Sequence, residues 1–326
     1  MKLSLIFGPA CAPTLKTDLC HKIHKLKRDH TRIIEVTPHD FADGEFKPQL
    51  KENVRGADVY IVQPTNSPSD NLEKLELLLD AASRATAGRV TAVVPYLRGA
   101  RQDRKDMPRV PITAKVVANK LEKAMVTAER KHIMLFHPHF SQIQGFFDIP
   151  SDILYPTDIF IRTLKKTIGS FKNVVFVAAD VGAAKMAEIY AEATGTTYAI
   201  CDKRRGEDDH AYIRDVIGEV NGKICIIVED IIDTGGTIHK AALKLKEKGA
   251  SDVYVCATHG ILAGKALGNL GINEIEKVFI TDSIFHQGPL IPKIEIVRCG
   301  NLLAEAIWRN NTNSSISAID GMFSTK

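Results

Sequence analysis

The sequence has no long apolar run, little net charge, no clustered cysteines, no low-complexity tract and no internal repeat. No stretch approaches the roughly 20 apolar residues of a spanning helix. The start, Met1 to Gly8, holds too short an apolar run for a signal peptide. The expectation is a cytoplasmic protein with no membrane partner. The formal net charge is only +4, from 43 Lys and Arg against 39 Asp and Glu. So small and scattered an excess argues against nucleic acid as a partner. The six cysteines, Cys11, Cys20, Cys201, Cys225, Cys256 and Cys299, are widely spaced, and none forms a Cys-x-x-Cys pair. Cys225 and Cys256 lie inside apolar strand patterns, where a free thiol is a small hydrophobe. Such usage implies a reducing compartment.

What is present is a rhythm. Hydrophobic residues make up 44% of the chain and charged residues 25%, as in globular proteins generally. The length of 326 residues allows two domains, each with its own core. Strand-like runs fall at Leu3–Phe7, Ile33–Val36, Val59–Val62, Val90–Pro95 and Ile133–Phe136, with helical patterns at Leu72–Ala85 and Ile112–Lys123. Asp70 and Glu73 resemble a capping box for the first of these helices. The second half repeats the alternation, with strands at Val174–Val177, Tyr198–Cys201, Ile224–Val228, Val253–Ala257, Val278–Thr281 and Ile294–Val297. Its helical patterns are Ala183–Ala193, Ile238–Lys248 and Leu302–Arg309. Strands spaced by helices imply parallel sheets with helices on both faces. The expected fold class is α/β with two doubly wound domains, and the boundary lies near Pro150–Asp158, where two prolines bracket a polar turn.

One segment is the most informative. Ile224 to Val228 reads as a buried strand, and Glu229, Asp230 and Asp233 follow it. Thr234-Gly235-Gly236-Thr237 then leads into a helix with Ile238, Ala241, Ala242 and Leu245 on one face. Glycines let backbone N–H groups close round an anion, and a helix N-terminus faces the same point. The threonines add hydroxyl donors, and the carboxylates suit sugar hydroxyls or hydrated Mg²⁺. A Gly-rich turn with a charged rim is the bland alternative, and the three acids and two threonines argue against it. Phosphate donors beside hydroxyl acceptors suit a sugar phosphate.

Other constellations fall at strand ends, where open α/β sheets bind ligands. Arg101-Gln102-Asp103-Arg104-Lys105-Asp106 follows the strand ending near Pro95. It reads as a solvated loop or as a phosphate grip through bidentate arginine. His137-Pro138-His139 reads as a polar strand end, since a zinc set would need further ligands at short spacing. Asp180-Val181-Gly182-Ala183 precedes a helix. Lys203-Arg204-Arg205 precedes the polar stretch Gly206–His210, and a closing loop there could bring cations to a phosphate under transfer. Phe41-Ala42-Asp43-Gly44-Glu45 by itself reads as a turn.

Together these motifs resemble the ribose-phosphate diphosphokinases, a branch of the type I phosphoribosyltransferases. The likeness covers nearly the whole chain, from Phe41 to Ile307. Its most specific matches are Arg101–Asp106, Ser141-Gln142-Ile143-Gln144-Gly145-Phe146-Phe147-Asp148-Ile149-Pro150 and Asp202–Arg205. The resemblance implies Mg²⁺-dependent transfer of a diphosphoryl group from ATP to ribose 5-phosphate. It assigns Phe41, Asp43, Glu45, Arg101, Gln102 and Asp103 to ATP, the first three reaching in from a neighbouring subunit. It assigns Glu229, Asp230, Asp233, Thr234, Gly235, Gly236 and Thr237 to ribose 5-phosphate. His139 and Asp180 go to the metal, and Lys203, Arg205 and His139 to catalysis. It also implies a homo-oligomer, dimer-based and up to a hexamer. Its domains would be 1–152 with about 301–326 on the ATP side, and 153–300 on the phosphoribosyl side. The chain departs from the family pattern at His137 and Glu229, where aspartates are usual, and at Val181, Ala183, Met107 and Pro108. The departures at His137, Val181, Ala183 and Glu229 support a rival expectation, a non-catalytic regulatory subunit resembling the diphosphokinase-associated proteins, while Met107 and Pro108 lie near the family's regulatory site. An ordinary phosphoribosyltransferase using a nucleobase is a further rival, but it leaves Arg101–Asp106 and the other domain unexplained.

Overall fold

The computed structural model describes residues 1–27, 31–205, 211–317 and 319, with Lys27, Asp40, Arg205 and Ala211 described by backbone alone. The chain divides into two compact units. The first holds residues 1–155, 283–285 and 298–319; the second holds 156–282 and 286–297.

The first unit opens with β1 (Leu3–Phe7), α1 (Pro13–Lys27) and β2 (Thr31–Ile34). A separate antiparallel hairpin follows, β3 (Val36–Asp40) with β4 (Phe46–Leu50). Then come β5 (Asp58–Val62), α2 (Asp70–Arg84), β6 (Arg89–Val94), α3 (Thr113–Ala124), β7 (Lys131–Phe136) and β8 (Ser151–Leu154). The main sheet runs β2-β1-β5-β6-β7-β8, all parallel. Leu75, Leu78 and Leu79 of α2 and Val117, Ala118 and Leu121 of α3 pack on Ile6, Val59, Ile61, Ala92 and Ile133. Alternate strand residues face the other way, and Leu3, Leu5 and Tyr60 are fully buried there as well.

The second unit follows the same plan. It contains α4 (Thr157–Ile168), β9 (Val174–Ala178), α5 (Ala184–Thr194), β10 (Thr197–Arg205) and β11 (Ala211–Ile217). After these come β12 (Ile224–Ile232), α6 (Gly236–Glu247), β13 (Asp252–Gly260), α7 (Ala266–Leu270), β14 (Lys277–Thr281) and β15 (Ile294–Val297). The order is β11-β10-β9-β12-β13-β14-β15, parallel except for β10–β11. Ile238, Ala241, Ala242 and Leu245 of α6 cover one face, with Val177, Cys225, Ile227 and Val255. Phe160 and Leu164 of α4 and Ala187 and Tyr190 of α5 cover the other, with Phe176, Ile226, Val228 and Phe279. Helices on both faces of a mainly parallel sheet are the doubly wound arrangement.

The last helix, α8 (Gly300–Asn311), belongs to the first unit and packs on α1. A Cβ at Gly300 would sit 2.7 Å from Asp18 Cβ and 3.0 Å from the Leu15 carbonyl oxygen, so a side chain there would push the helices apart. Arg298 reaches Asp18 at 2.9 Å.

Several elements differ from the sequence reading. Ile33–Val36 is not one strand, because β2 ends at Ile34 and the hairpin begins at Val36. The capping box at Asp70 does not form: Ser69 is the N-cap and its side chain makes no cap hydrogen bond. α1, α4, β11 and the hairpin have no counterpart in the sequence reading. Among the described residues, no helix is long and apolar enough to cross a membrane.

Candidate active site

The second unit gathers its chemistry at the carboxyl ends of β9, β10 and β12. β12 runs to Ile232, so Glu229 and Asp230 lie inside the strand rather than after it. Asp233 to Thr237 make the turn into α6. Gly235 takes the left-handed conformation, with φ +71°. Only glycine holds this freely, although a Cβ there would make no more than ordinary contact with Leu270, at 3.4 Å, and Asn269, at 3.5 Å. The carbonyls before the helix are turned inward. Ile232 O accepts from the amides of Ile261 and Leu262, Asp233 O accepts from Ala263 N at 2.9 Å, and Thr234 O accepts from Asn269 Nδ2 at 2.8 Å. The first amides of α6 have no earlier carbonyl within the helix and are left for an outside acceptor. Gly236 leaves room: a Cβ there would meet only Thr234 Oγ1, at 3.8 Å.

Lys203 ties this turn to the neighbouring strand end. β10 lies beside β9, with Ile200 opposite Ala178, so residues just past these positions converge. Lys203 Nζ is 3.2 Å from Asp180 Oδ2 and 3.2 Å from Thr237 Oγ1. Asp180 is held in turn by Gly182, whose amide donates to its Oδ1 at 3.0 Å. Burial pushes the Glu229 carboxyl well above the usual carboxylate range; the charges of Asp230 and Asp180 push the same way, and Lys203 opposes them. Burial likewise raises the thiols of Cys201 and Cys225 to about 12, so they stay protonated and act as small hydrophobes. A pocket of about 200 Å³ opens here, lined by Lys203, Tyr212, Ile213, Thr234, Gly236, Thr237 and Lys240. Tyr212, Ile213 and Lys240 went unread in the sequence. Lys240 had a signal, since it stands three and four residues beyond Thr237 and Gly236 on the same helix face.

Arg205 is the last residue of β10 and its side chain lies outside the described residues, as do Gly206–His210. Ala183, where the family has glycine, adopts φ −88° and is buried beside Ala187 and Phe160. The extra methyl therefore strains no backbone. Val181 is 72% exposed.

The first unit carries its candidate residues on three separate loops. Phe41, Asp43 and Glu45 form the tip of the β3–β4 hairpin. Phe41 N donates to Glu45 O, Glu45 N donates to Asp43 Oδ1, and the half-exposed Phe41 ring stands edge-on to His39. Arg101, Gln102 and Asp103 occupy the β6–α3 loop, where Gln102 accepts from Thr113 Oγ1 and its carbonyl accepts from Ala114 N. His139 is exposed beyond the end of β7. His137 is buried at φ +42° against Tyr155, ring centroids 5.3 Å apart. A ring packed in this way lies in the protein interior, in keeping with the poor fit of an imidazole to Mg²⁺. Among the described residues, no three His, Cys, Asp or Glu side chains assemble into a metal cage.

Comparison with known proteins matches two stretches of the chain to family models. Residues 5–124 match the N-terminal domain of ribose phosphate pyrophosphokinase. Residues 209–320 match the phosphoribosyl synthetase-associated domain. The chain is 44% identical over 287 residues to the ribose-phosphate pyrophosphokinase of Chlorobaculum tepidum, covering 88% of this chain and 87% of that one. It is 45% identical over 290 residues to that of Thermosipho africanus, covering 89% and 90%. The crystal structure of phosphoribosylpyrophosphate synthetase from Mycobacterium smegmatis superposes with a TM-score of 0.84 at 32% identity, over 96% of this chain and all of that one.

Proposed function

The chain belongs to the ribose-phosphate pyrophosphokinase family, and from that premise we propose the assignment of its residues to the reaction. The anomeric hydroxyl oxygen of ribose 5-phosphate attacks the β-phosphorus of ATP and loses its proton. A new C1–O–P linkage forms, the bond from that phosphorus to the α-phosphate oxygen breaks, and AMP leaves.

The N–H groups of the turn at Gly235–Thr237 and the hydroxyls of Thr234 and Thr237 hold the 5-phosphate. Asp230, Asp233 and Glu229 accept from the ribose hydroxyls. Lys203 and Arg205 meet the negative charge of the group in flight, where fixed cations contribute most. Arg101, Gln102 and Asp103 hold the ATP phosphates and sugar. Phe41 stacks on adenine, and Asp43 or Glu45 accepts from its amine, from a neighbouring copy in a cytoplasmic homo-oligomer.

Mg²⁺ fits this donor set as an ion carried in on ATP rather than held in a protein cage. Magnesium keeps several waters and takes one or two carboxylates together with substrate phosphates, and among the described residues no three acid, histidine or cysteine side chains form a cage that would hold it without them. His139 and Asp180 would hold it, and when bound it would neutralise phosphate charge.

One observation supports the reading most: Lys203 stands 3.2 Å from both Asp180 and Thr237 in a phosphate-sized pocket. The test is AMP release from ATP and ribose 5-phosphate with Mg²⁺. Lys203→Ala is expected to lower turnover by about 10²–10³-fold with an unchanged thermal melt. An unchanged rate removes Lys203 from the chemistry, and wild type that releases no AMP overturns the assignment.

A further inference from the structure

The reaction as assigned leaves Asp202, Arg204 and Arg214 without a part, yet they form a clamp beside Lys203. The Asp202 side chain is only 12% exposed, and each of its carboxylate oxygens meets a different cation. Arg204 Nε, from the same strand, stands 2.8 Å from Oδ1. Arg214 Nε, from β11, stands 3.1 Å from Oδ2.

The clamp coincides with a break in the β10–β11 register. Cys201 pairs with Val216 and Asp202 with Asp215, but Lys203 pairs with Ile213. Arg214 is therefore the extra residue of a β-bulge. Residues directly opposite share a face of a sheet, and neighbours along a strand alternate. An unbroken register would set Arg214 across from Lys203, a second cation on the same face. The bulge sets Ile213 there instead, and Lys203 and Ile213 both line the pocket of the glycine turn. Arg214 is drawn to Asp202, one residue before Lys203 and so on the other face. A bulge also bends its strand and re-aims side chains. Here the strand end carries Lys203 Nζ to 3.2 Å from both Asp180 and Thr237.

We propose that Arg214 and Asp202 are positioning residues: their ion pair holds the bulge, and the bulge aims Lys203 at the group in transfer. This rests on the reading of Lys203 as a catalytic cation. In the rival account the three charges are an exposed ion cluster that contributes little and leaves the reaction untouched.

Steady-state AMP release and thermal melts test the proposal on wild type, Arg214→Gln, Arg214→Lys, Asp202→Asn, Lys203→Ala and the double variant Lys203→Ala with Arg214→Gln. Arg214→Gln is expected to lower kcat about tenfold, the scale of a misplaced catalytic group, with KM for ribose 5-phosphate within about twofold. Its melt should match wild type, since Arg214 is 65% exposed. Asp202→Asn should repeat the fall in kcat, and Arg214→Lys, which keeps the charge, should recover most of the rate. In the Lys203→Ala background Arg214→Gln should have no further effect, because residues that act through one another are not additive. A wild-type kcat in Arg214→Gln overturns the proposal, and so does an equal fall in both backgrounds. If Lys203→Ala is slow in either event, Lys203 keeps its part and only the clamp drops out. If Lys203→Ala turns over like wild type, the catalytic cation and the clamp fall together. Should Asp202→Asn fold poorly, Arg214→Gln and the double variant carry the test.

Discussion

Two acid–base pairs, one in each unit, stand near the ends of parallel strands and are built differently. In the first unit Asp58, at the start of β5, is fully buried and meets Arg89, at the start of β6, through two oxygens. Tyr60 lies beside both, Asn311 Nδ2 donates to Asp58 at 2.6 Å, and Arg89 donates to the Asn310 carbonyl at 3.0 Å. Burial, and then the charge of Asp58, raise the Tyr60 phenol far above its ordinary value, with Arg89 opposing, so it stays a neutral donor. Every partner is protein, and the last turn of α8 closes the network. In the second unit the Lys203 and Asp180 side chains are 29% and 39% exposed and meet through a single contact. A saturated pair at the amino ends fixes the fold; an open pair at the carboxyl ends leaves capacity for a ligand.

Neutralising one partner of each pair should break the comparison or sharpen it. Asp58→Asn strands the Arg89 charge in a site only 12% exposed, and losing one partner of a buried pair costs about 3–5 kcal/mol. Chemical denaturation should show the loss, and α8 should be released with it, seen as faster amide exchange over residues 300–311. Asp180→Asn should leave the denaturation midpoint nearly unchanged, since exposed pairs contribute little, yet lower AMP release by about 10–100-fold. If both variants lose stability equally, the two pairs serve the same purpose and the distinction fails.

Gly235→Ala comes next. A residue with a Cβ pays about 1–2 kcal/mol to hold φ +71°, while its contacts with Leu270 and Asn269 would be ordinary ones. The expected outcome is a modest fall in melting temperature with a larger rise in KM for ribose 5-phosphate. Gly236→Ala, where there is space and φ is ordinary, should spare stability and act through KM alone.

What could be read in the sequence was local. A buried run, a glycine pair and a helix face are contiguous from Ile224 to Leu245, so strand, turn and helix could be read together. Lys203 and Asp180 stand 23 residues apart, and their meeting depends on β10 lying beside β9, which no residue pattern states. α1 was hidden because, among its described side chains, only Leu15, Leu19 and Ile23 are fully buried in an otherwise polar segment. The docking of α8 depends on Tyr60 and Asn310, 250 positions apart. The Ala183 and His137 departures could be judged only from backbone angles and packing: the first is strain-free, and the second is an interior ring.

Glu229 tests the comparison from the other side, because it is a strained acid at the site rather than a compensated one in the fold. Its carboxyl is held well above the usual range, first by burial and then by Asp230 and Asp180. Below the ordinary glutamate pKa of about 4.3, folded and unfolded chains are both protonated and Glu229 has no pH effect. As pH rises, the unfolded chain releases its proton first, so the folded state loses stability until pH passes the raised value. Glu229→Gln removes that loss. Its melting temperature should match wild type near pH 4 and exceed it by a few degrees at pH 8, while KM for ribose 5-phosphate rises because a charged acceptor is gone. An advantage that does not change with pH would mean that Glu229 carries no charge strain when folded. Asp58, already saturated with partners, should show no such gain from neutralisation at any pH, and the opposite signs of the two substitutions are the sharpest form of the contrast between the two units.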